Sequence, residues 1–307
     1  LAYQPESTDP WKSGAAFNEA VSFITTATSS NAPTAAEVTA SVATVTAASN
    51  STSGTNFTLT NSDNQTTGGA DNFTGGTGDD SFLATADNAF DNGDVVDGGA
   101  GTDTLTARYA LSANKTVLGS VTNVEKIIVD VDDGTASTVH TLTVGVDGFT
   151  GLKEVVAKDA DSSATNADTI LFNNIASGVA LGITNGDNDI DVDFVYKTTT
   201  AADDTATLNL NAGKADEVTI AGVETLTIDG QSGKSVIDKM VNGATTKYVM
   251  KGSGKVTLSD IADTVETIDG SASTGGIVIG GVGTVDATIT GGTGADTVDM
   301  AGTLTTK

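Results

Sequence analysis

The chain has 307 residues, room for one elongated domain or two compact ones, but its 36 Gly and 5% aromatic content leave few bulky side chains for a thick globular core. A thin, repetitive β-architecture, in which each layer buries its apolar residues against the next, needs fewer of them. The net charge of −26 excludes nucleic acid and anionic membranes as partners, which are held through Lys and Arg, and it calls for divalent counter-ions. The absence of cysteine excludes disulfide scaffolds and thiolate metal sites.

In chain order, residues 1–50 read as a helical segment. Phe17, Ala20, Val21 and Ile24 form one apolar stripe, and after Pro33 the pair Thr34 and Glu37 has capping-box spacing ahead of Val38, Val42 and Val45. This is a packing or linker pair of helices, or the end of an anchoring domain. Ser49–Gly54 is a polar linker, and from Phe57 onward short β-branched runs are punctuated by Gly, Asp, Asn and Thr, which predicts strands. No stretch approaches the roughly 20 apolar residues of a membrane span, so no transmembrane segment is expected. No basic and apolar leader precedes the helical segment, so export is expected to use another signal or to depend on sequence outside this chain.

Three segments fit G-G-x-G-x-D-x-U-x, where U is a large apolar residue: Gly75–Leu83, Gly98–Thr106 and Gly291–Asp299. Degenerate copies lie in register upstream of the first two. Residues 66–74 keep Gly69, Asp71 and Phe73; residues 89–97 keep Asp94 and Val96 but carry Asn92 in place of the fourth-position glycine. A five-residue insert, Ala84–Asn88, separates the two pairs. Glycines allow tight turns that point peptide carbonyls inward, and the sixth-position aspartate adds a charged oxygen to the same concavity. Two successive turns can therefore offer the oxygens that Ca²⁺ takes, while the following apolar residue starts a buried strand.

This pattern resembles the repeats-in-toxin (RTX), or haemolysin-type calcium-binding, family, whose nonapeptides wind a parallel β-roll. The resemblance implies that Asp71, Asp80, Asp94 and Asp103 are calcium ligands, helped by carbonyls of Gly75, Gly76, Gly78, Gly98, Gly99 and Gly101. The third copy offers Gly291, Gly292, Gly294 and Asp296, but residues 282–290 lack the sixth-position aspartate. Its site is expected to be completed by sequence beyond Lys307.

Residues 107–290 carry another recurrence. Val124-Glu125, Val223-Glu224 and Val265-Glu266 each precede aliphatic or β-branched residues and then an aspartate, and Gly151–Val156 is a looser copy. These are the coils of a larger β-solenoid or the strands of a β-sandwich. Asp187–Phe194 alternates strictly and would place four aspartates on one strand face, as a solvated acidic surface or as further cation sites. His140 is the only histidine, so no Ser-His-Asp, Cys-His or zinc constellation can be assembled; it is expected on a strand surface.

The layout from residue 57 to 307 is similar to the surface-layer (S-layer) proteins of Gram-negative bacteria. That resemblance implies an extracellular, cell-surface protein without enzymatic activity, exported by type I secretion, with Ca²⁺ as its cofactor. Its partners would be further copies of itself in a lattice, and lipopolysaccharide or another surface glycan. The expected organisation is a helical segment (1–50), a calcium-binding β-roll (57–106), a solenoid or sandwich (107–290) and the start of a further repeat (291–307). The alternatives are a calcium-stabilised adhesin or glycan-binding module of a larger secreted protein, or a non-catalytic part of a secreted protease or epimerase.

Overall fold

The computed structural model describes residues 54–60, 70–132, 139–159, 168–184, 190–199, 203–281 and 287–299; the predicted helical segment lies outside them. Every regular element among the described residues is a strand: β1 (Asn56–Thr58), β2 (Asn72–Thr74), β3 (Ser81–Ala84), β4 (Val95–Asp97), β5 (Thr104–Ala110), β6 (Lys115–Val117), β7 (Ser120–Thr122), β8 (Lys126–Asp132), β9 (Thr141–Gly145), β10 (Glu154–Asp159), β11 (Thr169–Ile175), β12 (Ala180–Thr184), β13 (Asp191–Tyr196), β14 (Thr205–Asn211), β15 (Lys214–Ile220), β16 (Thr225–Ser232), β17 (Lys234–Val241), β18 (Lys247–Gly252), β19 (Lys255–Leu258), β20 (Thr267–Ser273), β21 (Ile277–Ile279), β22 (Thr288–Thr290) and β23 (Thr297–Val298). No helix among the described residues is long and apolar enough to cross a membrane.

One face is an 11-stranded sheet, β1-β3-β5-β8-β10-β12-β14-β16-β18-β20-β22. The other is a three-stranded sheet, β2-β4-β7, followed by a nine-stranded sheet from β6 and β9 through β11, β13 and the rest to β23. The chain crosses from face to face, and all pairings between coils are parallel. This is a parallel β-solenoid, and it runs through the described parts of residues 107–290 as well, so the sandwich alternative for that stretch does not form. Register partners are 20 residues apart where Thr205 meets Thr225 and 28 apart where Lys126 meets Glu154. The coils differ in length, but the ladder of the first face runs unbroken through its 11 strands.

Alternating inward residues build the core. On the first face Phe57, Phe82, Leu105, Ile127, Val155, Leu181, Leu208, Ile228 and Met250 are successive register partners, and all are buried. On the second, Val144, Phe172, Phe194 and Ile220 form an equivalent row. Parallel in-register pairing puts identical rings one strand spacing apart. Phe57 and Phe82 stack with centroids 4.8 Å apart, Phe172 and Phe194 with centroids 5.6 Å apart. Burial of each such side chain contributes about 1.5–3 kcal/mol, so a modest number of apolar residues suffices once every coil covers the next.

The second face forks at one coil. Between β5 and β8 the chain forms both β6, which begins the nine-stranded sheet, and β7, which ends the three-stranded one, with only Leu118 and Gly119 between them. The buried Phe90 ring fills the space where a Gly119 side chain would stand, and Tyr109 Oη donates a 2.9 Å hydrogen bond to the Phe90 carbonyl.

Candidate metal-binding corners

Each sixth-position aspartate sits at a corner, one residue before a strand: Asp71 before β2, Asp80 before β3, Asp94 before β4, Asp103 before β5 and Asp296 before β23. Register then stacks them by coil. Asp71 lies beside Asp94, because Asn72 pairs with Val95, and Asp80 beside Asp103, because Ser81 pairs with Thr104.

The same carboxylates tie one coil to another through the backbone. In each case one carboxylate oxygen accepts the N–H of its register partner in the preceding coil: Thr55 N donates to Asp80 Oδ1 at 2.6 Å, Asp80 N to Asp103 Oδ1 at 2.6 Å and Asp71 N to Asp94 Oδ1 at 2.9 Å. Ile277 N likewise donates to Asp296 Oδ1 at 2.9 Å. Two of the three Val-Glu motifs perform the same task with one more methylene. Asp103 N donates to Glu125 Oε2 and Asp204 N to Glu224 Oε2, both at 2.8 Å. Asp168, absent from the sequence-derived set, accepts His140 N at 2.7 Å. The sequence signal common to all of them is an acid two positions before a large apolar residue of the strand that follows.

The second carboxylate oxygen separates the corners. Gly76 N donates to Asp80 Oδ2 (2.7 Å), Gly292 N to Asp296 Oδ2 (2.8 Å) and Asp91 N to Asp94 Oδ2 (2.8 Å), so these carboxylates are engaged at both oxygens. Asp71 Oδ2 accepts Thr60 N at 2.6 Å. At Asp103 the equivalent donor, Gly99 N, turns to Asp97 Oδ1 (3.1 Å), with Gly99 in the left-handed region at φ 87° and Gly101 at φ 142°. Asp103 is fully buried, and its Oδ2 has no hydrogen-bond partner. Among the predicted carbonyl sources, Gly75 and Gly98 sit in the tightest cradles. A side chain on Gly75 would meet the Gly98 carbonyl and Asp80 Oδ2, and one on Gly98 would meet the Asn123 carbonyl and Asp103 Oδ2. The Gly76 carbonyl instead accepts Ala100 N at 2.9 Å, and the Gly78 carbonyl lies against Gly101. Gly291 stands over Asp296 Oδ2, and Gly294 packs against the Gly276 backbone.

Crowding these acids together in the protein interior favours their protonated forms. Burial, then the neighbouring charges of Asp80, Glu125 and Asp79, raises the Asp103 carboxyl above its ordinary range despite the bond from Asp80 N. Burial also lifts Asp94 to about 6, with Asp91 and Asp71 adding to it, and lifts Asp71 in the same direction. A cation would relieve this penalty, and the all-oxygen surroundings suit a hard one. Among the described residues no three His, Cys, Asp or Glu side chains converge as a ready ligand set. The Asp103 corner, with its orphaned buried oxygen, fits Ca²⁺ as the resemblance implies; at Asp80, Asp94 and Asp296 both carboxylate oxygens already serve as backbone acceptors.

His140 lies just before β9 and its side chain is only 12% exposed, with Nδ1 3.8 Å from Asp168 Oδ1; burial raises the Asp168 carboxyl. It is therefore a largely buried corner residue rather than one on a strand surface. Of the acidic run, Asp187 and Asp189 lie outside the described residues. Asp191 and Asp193 are half-buried on the outer face of β13 while Val192 and Phe194 point inward, as the alternation predicts. Burial, followed by the charges of Asp216, Glu217 and Asp193, lifts Asp191 to about 6. Comparison with protein-family models, curated proteins and solved structures finds no match for this chain.

Proposed function

We propose that the chain is a calcium-stiffened structural protein of a bacterial surface layer, acting as a rigid solenoid that assembles with copies of itself. The observation that carries the reading is Asp103, a buried carboxylate in an acidic corner with one oxygen lacking any donor. Asp103 would hold the ion, with Asp80 and Glu125 contributing charge and the glycine-lined turns contributing carbonyl oxygens. Bound Ca²⁺ supplies positive charge that offsets the desolvation of these carboxylates. The net charge of −26 would keep copies apart until divalent ions screen or bridge them. Extracellular modules bind Ca²⁺ at about 10⁻⁴–10⁻³ M, so leaving a calcium-poor cytosol would be enough to trigger stiffening.

Negative-stain electron microscopy of the full chain with Ca²⁺ and with EGTA tests this. Ordered two-dimensional arrays that form with Ca²⁺ and dissolve in chelator support it. Dispersed monomers in both conditions overturn the lattice reading and favour a calcium-stabilised adhesin.

A further inference from the structure

Two departures from the nonapeptide pattern fall close together in the fold: the insert Ala84–Asn88, whose first residue closes β3, and Asn92 where the pattern has glycine. The fold brings Asn88, the end of the insert, and Asn92 to the fork of the second face. There they line one open cleft of about 670 Å³ with Asp91, Ser112, Asn114 and Lys115. Cavities that bind small molecules run to about 300–1,000 Å³.

The scaffold itself fixes the lining side chains. Asn92 Oδ1 accepts Leu118 N at 2.8 Å and Asn114 Oδ1 accepts Thr141 N at 2.9 Å, so each amide has its oxygen committed and keeps its nitrogen as a donor. Asn88 is held in the left-handed region at φ 61°, and its Oδ1 accepts Lys115 Nζ at 3.0 Å. The same ammonium lies 5.4 Å from the centroid of the Tyr109 ring. Asp91 Oδ1 accepts Gly93 N at 2.8 Å. Little side-chain freedom is left to lose when a ligand arrives.

The chemistry of this wall selects the ligand. The lining offers amide and ammonium donors together with carboxylate and hydroxyl acceptors, and its charged side chains are one cation, Lys115, and one anion, Asp91. An anion would find one ammonium in a chain of net charge −26, and a cation would meet Lys115. A hydroxyl both donates and accepts, so a polyhydroxylated neutral molecule can satisfy both kinds of group at once. We propose that this cleft is a binding site for a neutral sugar, whether free or as a residue of a glycan chain. The site is separate from the Asp103 corner and does not depend on the calcium reading.

The test is isothermal titration of the full chain with glucose, galactose, mannose, N-acetylglucosamine and their short oligosaccharides, with glucuronic and sialic acids as charged controls. At least one neutral sugar is expected to bind with a dissociation constant of about 10⁻⁴–10⁻³ M. Selective binding of an oligosaccharide would identify a glycan chain, and equal binding of the monosaccharide a free sugar. Asn92 and Asn114 also tie coils together, so the variants avoid them. Asp91→Asn should weaken binding about tenfold, the equivalent of one charge-assisted hydrogen bond, and Ser112→Trp, which fills the cleft from an exposed position, should abolish it with the thermal midpoint unchanged. The proposal is overturned if no neutral sugar saturates the protein, if only the acidic sugars bind, or if binding survives Ser112→Trp.

Discussion

Replacing Asp103 by Asn separates the backbone role of this residue from its role toward a cation. The Asn oxygen can still accept the Asp80 N–H, so the tie between coils survives, while the negative charge disappears and an amide donor takes the place of the orphaned acceptor, among the Asp80, Glu125 and Asp79 carboxylates. Burial and those like charges penalise the ionised carboxylate, and a buried polar group without a partner costs about 1–3 kcal/mol. In chelator the variant should therefore be more stable than the native chain, by about 2–4 °C in midpoint for each kcal/mol. With Ca²⁺ at a hundred times its dissociation constant the native chain gains about 2.7 kcal/mol, and the variant gains much less because its carboxylate is gone. The order of the two proteins thus reverses or closes when calcium is added. Solenoids can melt in parts, so circular dichroism melts should be joined by hydrogen exchange of the Asp80 amide, which reports the corner itself. A variant less stable than the native chain in EGTA, or one stabilised equally by Ca²⁺, would refute the assignment of Asp103 to a cation.

Three further outcomes follow from the packing and the acid rows. Asp191 titrates near 6 in the folded chain, above the usual carboxylate range, so its stabilising contribution is complete below that range and lost as pH rises through about 6. Asp191→Asn should accordingly raise the thermal midpoint at pH 7, and the gain should shrink as pH falls through about 6 and vanish below the usual carboxylate range, where the carboxyl is protonated in both states. Gly98→Ala should cost about 3 kcal/mol or more, because its Cβ would collide with the Asn123 carbonyl and Asp103 Oδ2; Gly148→Ala, with nothing within 4 Å of the added carbon, should stay within about 0.5 kcal/mol in denaturant melts. Phe172→Ala removes one ring of the Phe172–Phe194 stack from a fully buried site and should cost about 3–5 kcal/mol by the same assay.

The winding of the chain was legible in its sequence wherever a turn had to be glycine. Gly75 and Gly98 tolerate no side chain, so their spacing reports the coil directly, and the aspartates that follow them land at corners as expected. Strand alternation was equally readable at Asp191–Phe194, because burial of Val192 and Phe194 leaves no choice of face. What could not be read was the equivalence of Glu125 and Glu224 with the sixth-position aspartates. A carboxylate reaches the N–H of the preceding coil from either side-chain length, so neither residue type nor spacing is conserved by the geometry. The difference between Asp80 and Asp103 was also hidden, since it depends on whether the turn N–H at Gly76 or Gly99 faces its own aspartate or, as at Gly99, is drawn off by Asp97. The meeting of His140 with Asp168, 28 positions away, was hidden as well, since at that distance no local pattern carries information.

The unequal length of successive coils separates two properties that most folds couple. The rungs set stiffness, and they count only the residues in register, so the pair Lys126 and Glu154, 28 positions apart, adds the same rung as the pair Thr205 and Thr225, 20 apart. A ladder of this kind can absorb insertions and deletions between its rungs, and with them new contacts, while the register of the rungs is kept.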